Sequence, residues 1–433
     1  MNELQAKIND FFQANQEALL SDLEGLMKIK SKSEDRTLCE EALRYAADIA
    51  EKAGMKAIMG KYGDVCVVEV GKGDETLGIL AHVDVVDEGA RELWECEPFT
   101  LTQQDGLLLG RGIIDDKGPV IGTLYALKFL KENVSSWNKR IWLIIGSSEE
   151  TEWIDMEHFK EEFPIPDYGY SPDGNFPIFN AESGYMDVVL DFRNTNPKSF
   201  EHFEGGVSEN VVPASASFIA GGKRYDFHGK SAHSSTPELG ENAILNMAEV
   251  LCKGGWETPD FAKFLHDKFP KDNYESLLCI EKAEGIQNEK SLPTTIVPTL
   301  LMQEDDKILL NFNVRQTFEI PGQNVIEAFE KEQSKYHYHV IIKENLEPIF
   351  VDENKPWLLR MKQAYEAYGK KCEFMAASGC TYAKTMPNFV TWGPVFPEDI
   401  DCAHMENEQI SLESFMLGNR MYTYFLFNET GTK

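Results

Sequence analysis

No run of the chain approaches the ~18 consecutive apolar residues that a membrane-spanning helix requires, which excludes a spanning segment. The first residues, MNELQAKINDFFQANQEALLSDLEGLMKIKS, lack a basic segment followed by an apolar core of about 7–15 residues, so export is not expected. The eight cysteines (39, 66, 96, 252, 279, 372, 380 and 402) form no CxxC and no paired spacing. That excludes a structural zinc finger and points to reduced thiols in the cytoplasm. Positive charge is scarce: 42 Lys and Arg stand against 72 Asp and Glu, a net charge of −30. Such a surface repels phosphate backbones and anionic lipid, so neither nucleic acid nor a membrane is expected as a partner. Cations, metals and positively charged substrates are favoured instead. Internal repeats and low-complexity segments are also missing.

What remains is a globular composition, 42% apolar and 26% charged. Seven Trp, fifteen Tyr and twenty-six Phe require burial, which excludes disorder as the main state. At about 150 residues per domain, 433 residues suggest two or three domains. Residues 1–60 read as two amphipathic helices, the second over Cys39–Met55. Apolar strand-like runs follow at Val65–Val70, Leu77–Val86 and Ile141–Ile145, with a helix at Pro119–Glu132 between the last two. From about 184 to 347 the texture changes to many short β-type runs, with helices at Asn242–Cys252 and Pro259–Phe269. From Pro348 an α/β pattern returns: helix Pro356–Gly369, a strand at Phe389–Trp392, helix Ser411–Phe427. The pattern predicts a discontinuous α/β domain, 1–183 with 348–433, interrupted by an inserted α+β domain at 184–347.

Five short motifs carry candidate chemistry. LGILAHVD ends an apolar strand on His82 and Asp84. Ligands gather at the carboxyl ends of strands in open α/β sheets, where a His can bind a metal and an Asp can orient it. GRGIIDDKGP sets the vicinal acids Asp115 and Asp116 before a helix; IWLIIGSSEETE delivers Glu149 and Glu150 after a buried strand. Adjacent carboxylates repel unless a cation or a proton joins them. YSPDGNF holds Asp173 in a turn, and DCAHMENEQI holds His404. Taken alone, each has an ordinary structural reading as a turn, an N-cap or a core histidine. Together they supply two His and at least three carboxylates, the mixed nitrogen and oxygen set suited to Zn²⁺ or Mn²⁺.

The order H-x-D, D-D, E-E, P-D-G and a late His resembles the di-metal aminoacylase and carboxypeptidase-like metallopeptidases. Within them it is most similar to PepV-type bacterial dipeptidases, relatives of the carnosinases. The motifs run from Leu77 to Ile410. The resemblance implies a zinc-peptidase-like α/β catalytic domain with an inserted α+β lid. It implies that His82 and Asp173 ligate one metal, that Glu150 and His404 ligate the other, and that Asp115 bridges both across a cis Asp115–Asp116 peptide. It makes Glu149 the general base and Asp84 the residue that orients His82. In the lid, GGVSENVVP, GKSAHSSTP and NFNVR match further family positions. There Asn210 and His233 are implied to support the oxyanion, and Arg315 the substrate carboxylate. In SGCTYA, Cys380 stands where the family has Gly, either reshaping the substrate subsite or tolerated as a small residue.

The expected activity is hydrolysis of unblocked dipeptides by a water activated between two divalent ions, Zn²⁺ first and Mn²⁺ or Co²⁺ next. An N-acyl amino acid deacylase with the same metal centre is the alternative enzyme; a non-catalytic binding protein of the same fold is the third reading. A monomer is expected, with a dimer as the alternative. His337 and His339 in YHYHV are expected to alternate on a strand face, and Gln303–Lys307 to form a solvated turn.

Overall fold

The computed structural model describes residues 2–193, 199–269, 292–304 and 307–430. Contacts divide the chain into two units, one of residues 1–180, 351–375 and 381–433, the other of 181–350 with 376–380.

In the first unit a mixed sheet runs in the order Lys56–Met59, Cys66–Gly71, Lys139–Gly146, Glu75–His82, Tyr168–Ser171, Phe389–Thr391, Ile178–Glu182. Its four middle strands, from Lys139–Gly146 to Phe389–Thr391, are parallel neighbours, and antiparallel pairs flank them. Glu75–His82 and Lys139–Gly146 are buried along nearly their whole lengths. Continuous apolar sequence is what a parallel strand covered on both faces requires. Helices Glu3–Lys28, Arg36–Lys52, Lys117–Asn133, Pro356–Ala367 and Leu412–Glu429 contribute Phe12, Leu43, Leu124, Met361 and Phe425 to one core with these strands. The second helix starts three residues before the predicted Cys39, because Asp35 caps it by accepting the Leu38 N–H at 3.1 Å. The Lys117–Asn133 helix starts two residues before Pro119, with Asp116 at its N-cap position.

The second unit is a seven-stranded antiparallel sheet. Its order is Lys223–His228, Ser215–Ala220, Phe200–Gly205, Thr295–Glu304, Lys307–Gln316, Gly184–Arg193, His339–Leu346. Met186, Val188, Leu190 and Phe192 alternate toward a core shared with Ile308, Leu310, Phe312 and Val314. Helices Ala243–Lys253, Asp260–Lys268 and Gly322–Tyr336 supply Met247, Phe264 and Phe329 to that core. The period of two puts Tyr185, Asp187, Asn311, Asn313 and Arg315 on the opposite, polar face.

His337 departs from the expected strand. It caps the Gly322–Tyr336 helix in the left-handed region at φ 55° and pairs with Asp260 at 2.9 Å. The strand begins only at His339. Two residues of the expected Gln303–Lys307 turn, Asp305 and Asp306, lie outside the described residues, as does Cys279. No disulfide joins the seven described cysteines. Among the described residues no helix is long and apolar enough to cross a membrane.

Candidate metal centre

Parallel pairing with register His82↔Gly146 brings the carboxyl ends of Glu75–His82 and Lys139–Gly146 level. At or just beyond the ends of these two strands and of Tyr168–Ser171 lie His82 with Asp84, Glu149 with Glu150, and Asp173. Asp115 arrives from the turn before the Lys117–Asn133 helix, and the Asp115–Asp116 peptide is cis, as the resemblance implied. His404 comes from the loop before Gln409–Ser411, with φ 64°.

These side chains converge within the first unit. Asp115 lies between the two histidines: Oδ1 is 2.9 Å from His82 Nε2, and Oδ2 is 2.8 Å from His404 Nε2. His404 Nε2 is 3.0 Å from the Glu150 carboxylate, and His82 Nε2 is 3.8 Å from Asp173 Oδ2. Candidate ligand atoms of His82, Glu149 and Asp173 lie within 4.8 Å of one another, as do those of Asp115, Glu150 and His404. Glu149, expected as base rather than ligand, thus falls in the first group beside the two expected ligands His82 and Asp173.

Asp84 organises both motifs. His82 Nδ1 is 3.0 Å from the Asp84 carbonyl and 3.2 Å from its carboxylate, so a neutral ring that donates from Nδ1 turns its Nε2 lone pair toward Asp115. The same carboxylate accepts the N–H groups of Glu149 and Glu150, each at 3.2 Å, and the Ser33 hydroxyl at 2.8 Å. Asp116 Oδ2 accepts the His82 N–H at 3.1 Å.

The donor set fits a pair of cations. His82 Nε2 and Asp115 Oδ1 are both buried, both without a hydrogen bond, and 2.9 Å apart. Two buried acceptors face to face are costly unless a cation or proton lies between them. Without a metal, protons fill the role. Burial, then the negative Asp115, pushes the Asp173 carboxyl up to about 8. Burial and Asp173 raise Glu149, and burial with Asp115 raises Glu150. Hydrogen bonds to Asp115 and Glu150 lift His404 to about 11. Metal binding must displace those protons.

Two supports had no signal in the sequence motifs. Glu408 is fully buried and accepts from Arg111 at 2.8 Å and from the N–H groups of Gly112, Ile114 and Asp115 at 2.8–3.2 Å. Arg111 also reaches the His404 carbonyl at 3.4 Å, so this pair ties the loop of Asp115 to the loop of His404. Asp155 accepts the Ser147 and Ser148 N–H groups at 2.6 and 3.0 Å and the Tyr382 hydroxyl, fixing the turn ahead of Glu149. The Tyr382 ring packs edge-on against His82, centroids 6.0 Å apart.

In the second unit, Asn210 and His233 are neighbours. Val211 bridges His233, and the Ser234 N–H donates to the Asn210 carbonyl at 2.9 Å. His233 Nδ1 accepts the Ser235 N–H at 3.1 Å, so the neutral ring carries its proton on Nε2. Burial and then the Arg315 charge lower the His233 pKa, which keeps that tautomer neutral. Arg315 donates to Asn313 at 3.3 Å and to the Ser378 carbonyl at 3.2 Å, and the Cys380 thiol lies 3.8 Å from its Nη1.

Residues 78–428 match Peptidase family M20/M25/M40. The chain belongs to this peptidase family. Among curated relatives, Putative dipeptidase YtjP of Bacillus subtilis is 28% identical over 95% of this chain and 97% of its own. Solved structures match along the same length. An aminoacylhistidine dipeptidase from Vibrio alginolyticus superimposes with TM-score 0.64 at 14% identity, covering 96% of this chain and 97% of its own. YXEP of Bacillus subtilis, described as a dinuclear metal binding peptidase, gives TM-score 0.56 at 10% identity, covering 97% of this chain and 100% of its own. In this M20-family chain two groups of three side chains, His82 with Glu149 and Asp173, and Asp115 with Glu150 and His404, could each hold a metal ion.

Proposed function

We propose that this M20-family chain is a dipeptidase, hydrolysing unblocked dipeptides at two divalent ions held by His82, Asp115, Glu150, Asp173 and His404. The observation that carries the reading is the pair of buried, unpartnered acceptors, His82 Nε2 and Asp115 Oδ1, 2.9 Å apart. The dipeptidase name of the Bacillus subtilis relative supports the substrate class. In this reading His82 and Asp173 hold one ion, Glu150 and His404 hold the other, and Asp115 serves both. Bound there, the ions would polarise the scissile carbonyl and lower the pKa of a water. Zn²⁺ is the ion proposed; Mn²⁺ and Co²⁺ suit the same ligands.

The proton traffic falls to side chains. Glu149 takes a proton from the attacking water and passes it to the leaving amine. Its raised proton affinity, from burial and Asp173, suits a group that must hold a proton between those two steps. Residues 184–347 act as a lid that contributes Asn210, His233 and Arg315. His233 donates its Nε2–H to the developing oxyanion with Asn210 in support, and Arg315 forks the substrate carboxylate. We place the enzyme in the cytoplasm as a monomer; the lack of disulfides among the described cysteines supports the compartment.

The test is to strip metal, assay Ala-Leu hydrolysis, and restore Zn²⁺, Mn²⁺ or Co²⁺ singly. Activity that returns as about two ions bind per chain supports the reading. Hydrolysis that survives stripping overturns it.

A further inference from the structure

Arg315 lies directly across from Tyr185 in the register of the antiparallel strands Lys307–Gln316 and Gly184–Arg193. Side chains facing one another across such a pair come within contact distance. The Arg315 Cζ sits 4.7 Å from the Tyr185 ring centroid, inside the range of a cation held over an aromatic face. Burial and the nearby Asp187 push the Tyr185 phenol up to about 12, so the ring stays neutral. The guanidinium edge is gripped elsewhere in the same unit. Nε donates to Asn313 Oδ1 at 3.3 Å, and Nη1 donates to the Ser378 carbonyl at 3.2 Å. The Nη2 amine makes none of these bonds. Asn313 Oδ1 also accepts the Ser234 hydroxyl at 2.8 Å, which links the anchor to the residue next to His233.

A long, rotamer-rich Arg forks a carboxylate well only when its plane is fixed before the ligand arrives. Hydrogen bonds at the edge fix where the head lies, but they leave it free to rock about that edge. A ring against the face removes that freedom.

We infer that Tyr185 is a positioning residue of the carboxylate anchor, its ring holding the Arg315 guanidinium in the plane that receives the C-terminal carboxylate of the substrate. The inference rests on the role given to Arg315 above. It requires the aromatic face and not the phenolic hydroxyl.

The experiment compares kcat/KM for Ala-Leu with that for its C-terminal amide on metal-loaded enzyme, with metal content measured for each variant. The ratio reports carboxylate recognition and cancels losses common to both substrates. Tyr185→Leu and Tyr185→Met are expected to lower the ratio about fivefold to tenfold, the scale of one ring–cation contact, through KM and with kcat held within about twofold. Tyr185→Phe is expected to keep the wild-type ratio. Arg315→Ala is expected to collapse the ratio toward unity. If Arg315→Ala collapses it while both aliphatic variants keep it, Tyr185 does not position the anchor. If Tyr185→Phe falls as far as Tyr185→Leu, the ring-face account is wrong. If Arg315→Ala leaves the ratio unchanged, the anchor itself is misassigned.

Discussion

Glu149→Gln separates the base from the ligands. The substitution keeps the shape of the side chain and removes its ability to take a proton. General-base catalysis is worth about 10²–10⁴-fold, so kcat is expected to fall by about 10³, or about 4 kcal/mol of barrier. A metal ligand in this centre would lose activity just as deeply, and Glu149 lies within 4.8 Å of the candidate ligand atoms of His82 and Asp173. Activity alone therefore decides nothing. Proton affinity does not separate the two roles, because burial and neighbouring carboxylates raise Asp173 and Glu150 as they raise Glu149. Elemental analysis of Glu149→Gln beside wild type is expected to return the same metal content, with turnover measured on the same samples. Loss of one ion per chain, or a kcat above a tenth of wild type, would refute the assignment and make Glu149 a ligand or a bystander.

His233→Ala is expected to lower kcat by about 10²–10³ with metal content intact, the scale for one oxyanion donor; more than half the wild-type kcat would remove His233 from the reacting carbonyl. Glu408→Gln leaves the buried Arg111 charge without its partner and should destabilise the metal-loaded protein by about 3–5 kcal/mol in urea denaturation. A change below about 1 kcal/mol would show that the pair does not hold the Asp115 loop. For metal-stripped protein the pH dependence has a definite sign. Asp173 is raised to about 8, so its contribution is complete below the unfolded carboxylate range and is lost as pH rises through about 8. His404, raised to about 11, adds a loss in the same direction above its unfolded pKa. Tm of the stripped protein should therefore fall between about pH 6 and pH 9, and metal-loaded protein should not follow that fall; a rising Tm over that window in stripped protein would contradict the proton-filled centre.

Much of the centre was legible because parallel strands end where their apolar runs end. LGILAHVD and IWLIIGSSEETE mark those ends in the sequence, and the sheet brings them level. The alternation of Met186, Val188, Leu190 and Phe192 likewise marks one buried face of the second unit, and hence which face carries Arg315. What the sequence hid is pairing at long range. Arg111 and Glu408 are 297 residues apart, and nothing local distinguishes a buried ion pair from two surface charges. Asp155 and Tyr382 are 227 residues apart and are equally silent. His337 misled because a tyrosine–histidine alternation reads as a strand, while the backbone there leaves a helix through the left-handed region. Cys380, expected either to reshape the substrate subsite or to be tolerated as a small residue, has its thiol 3.8 Å from Arg315 Nη1, a pairing 65 residues apart that the sequence does not announce.

The central claim is that this metal centre serves free dipeptides, and the amine side of the substrate tests it most directly. A dipeptide brings a cation toward Asp115, Glu149, Glu150 and Asp173, whereas an N-acetyl amino acid brings a methyl group and leaves those carboxylates less well paired. The measurement is kcat/KM for Ala-Leu against kcat/KM for N-acetyl-leucine, on one preparation carrying its full complement of metal. Ala-Leu is expected to be cleaved faster by about 10⁴-fold, the scale on which a site built to pair a polar group rejects an analogue lacking it. A preference for N-acetyl-leucine would contradict the dipeptidase and make the chain a deacylase.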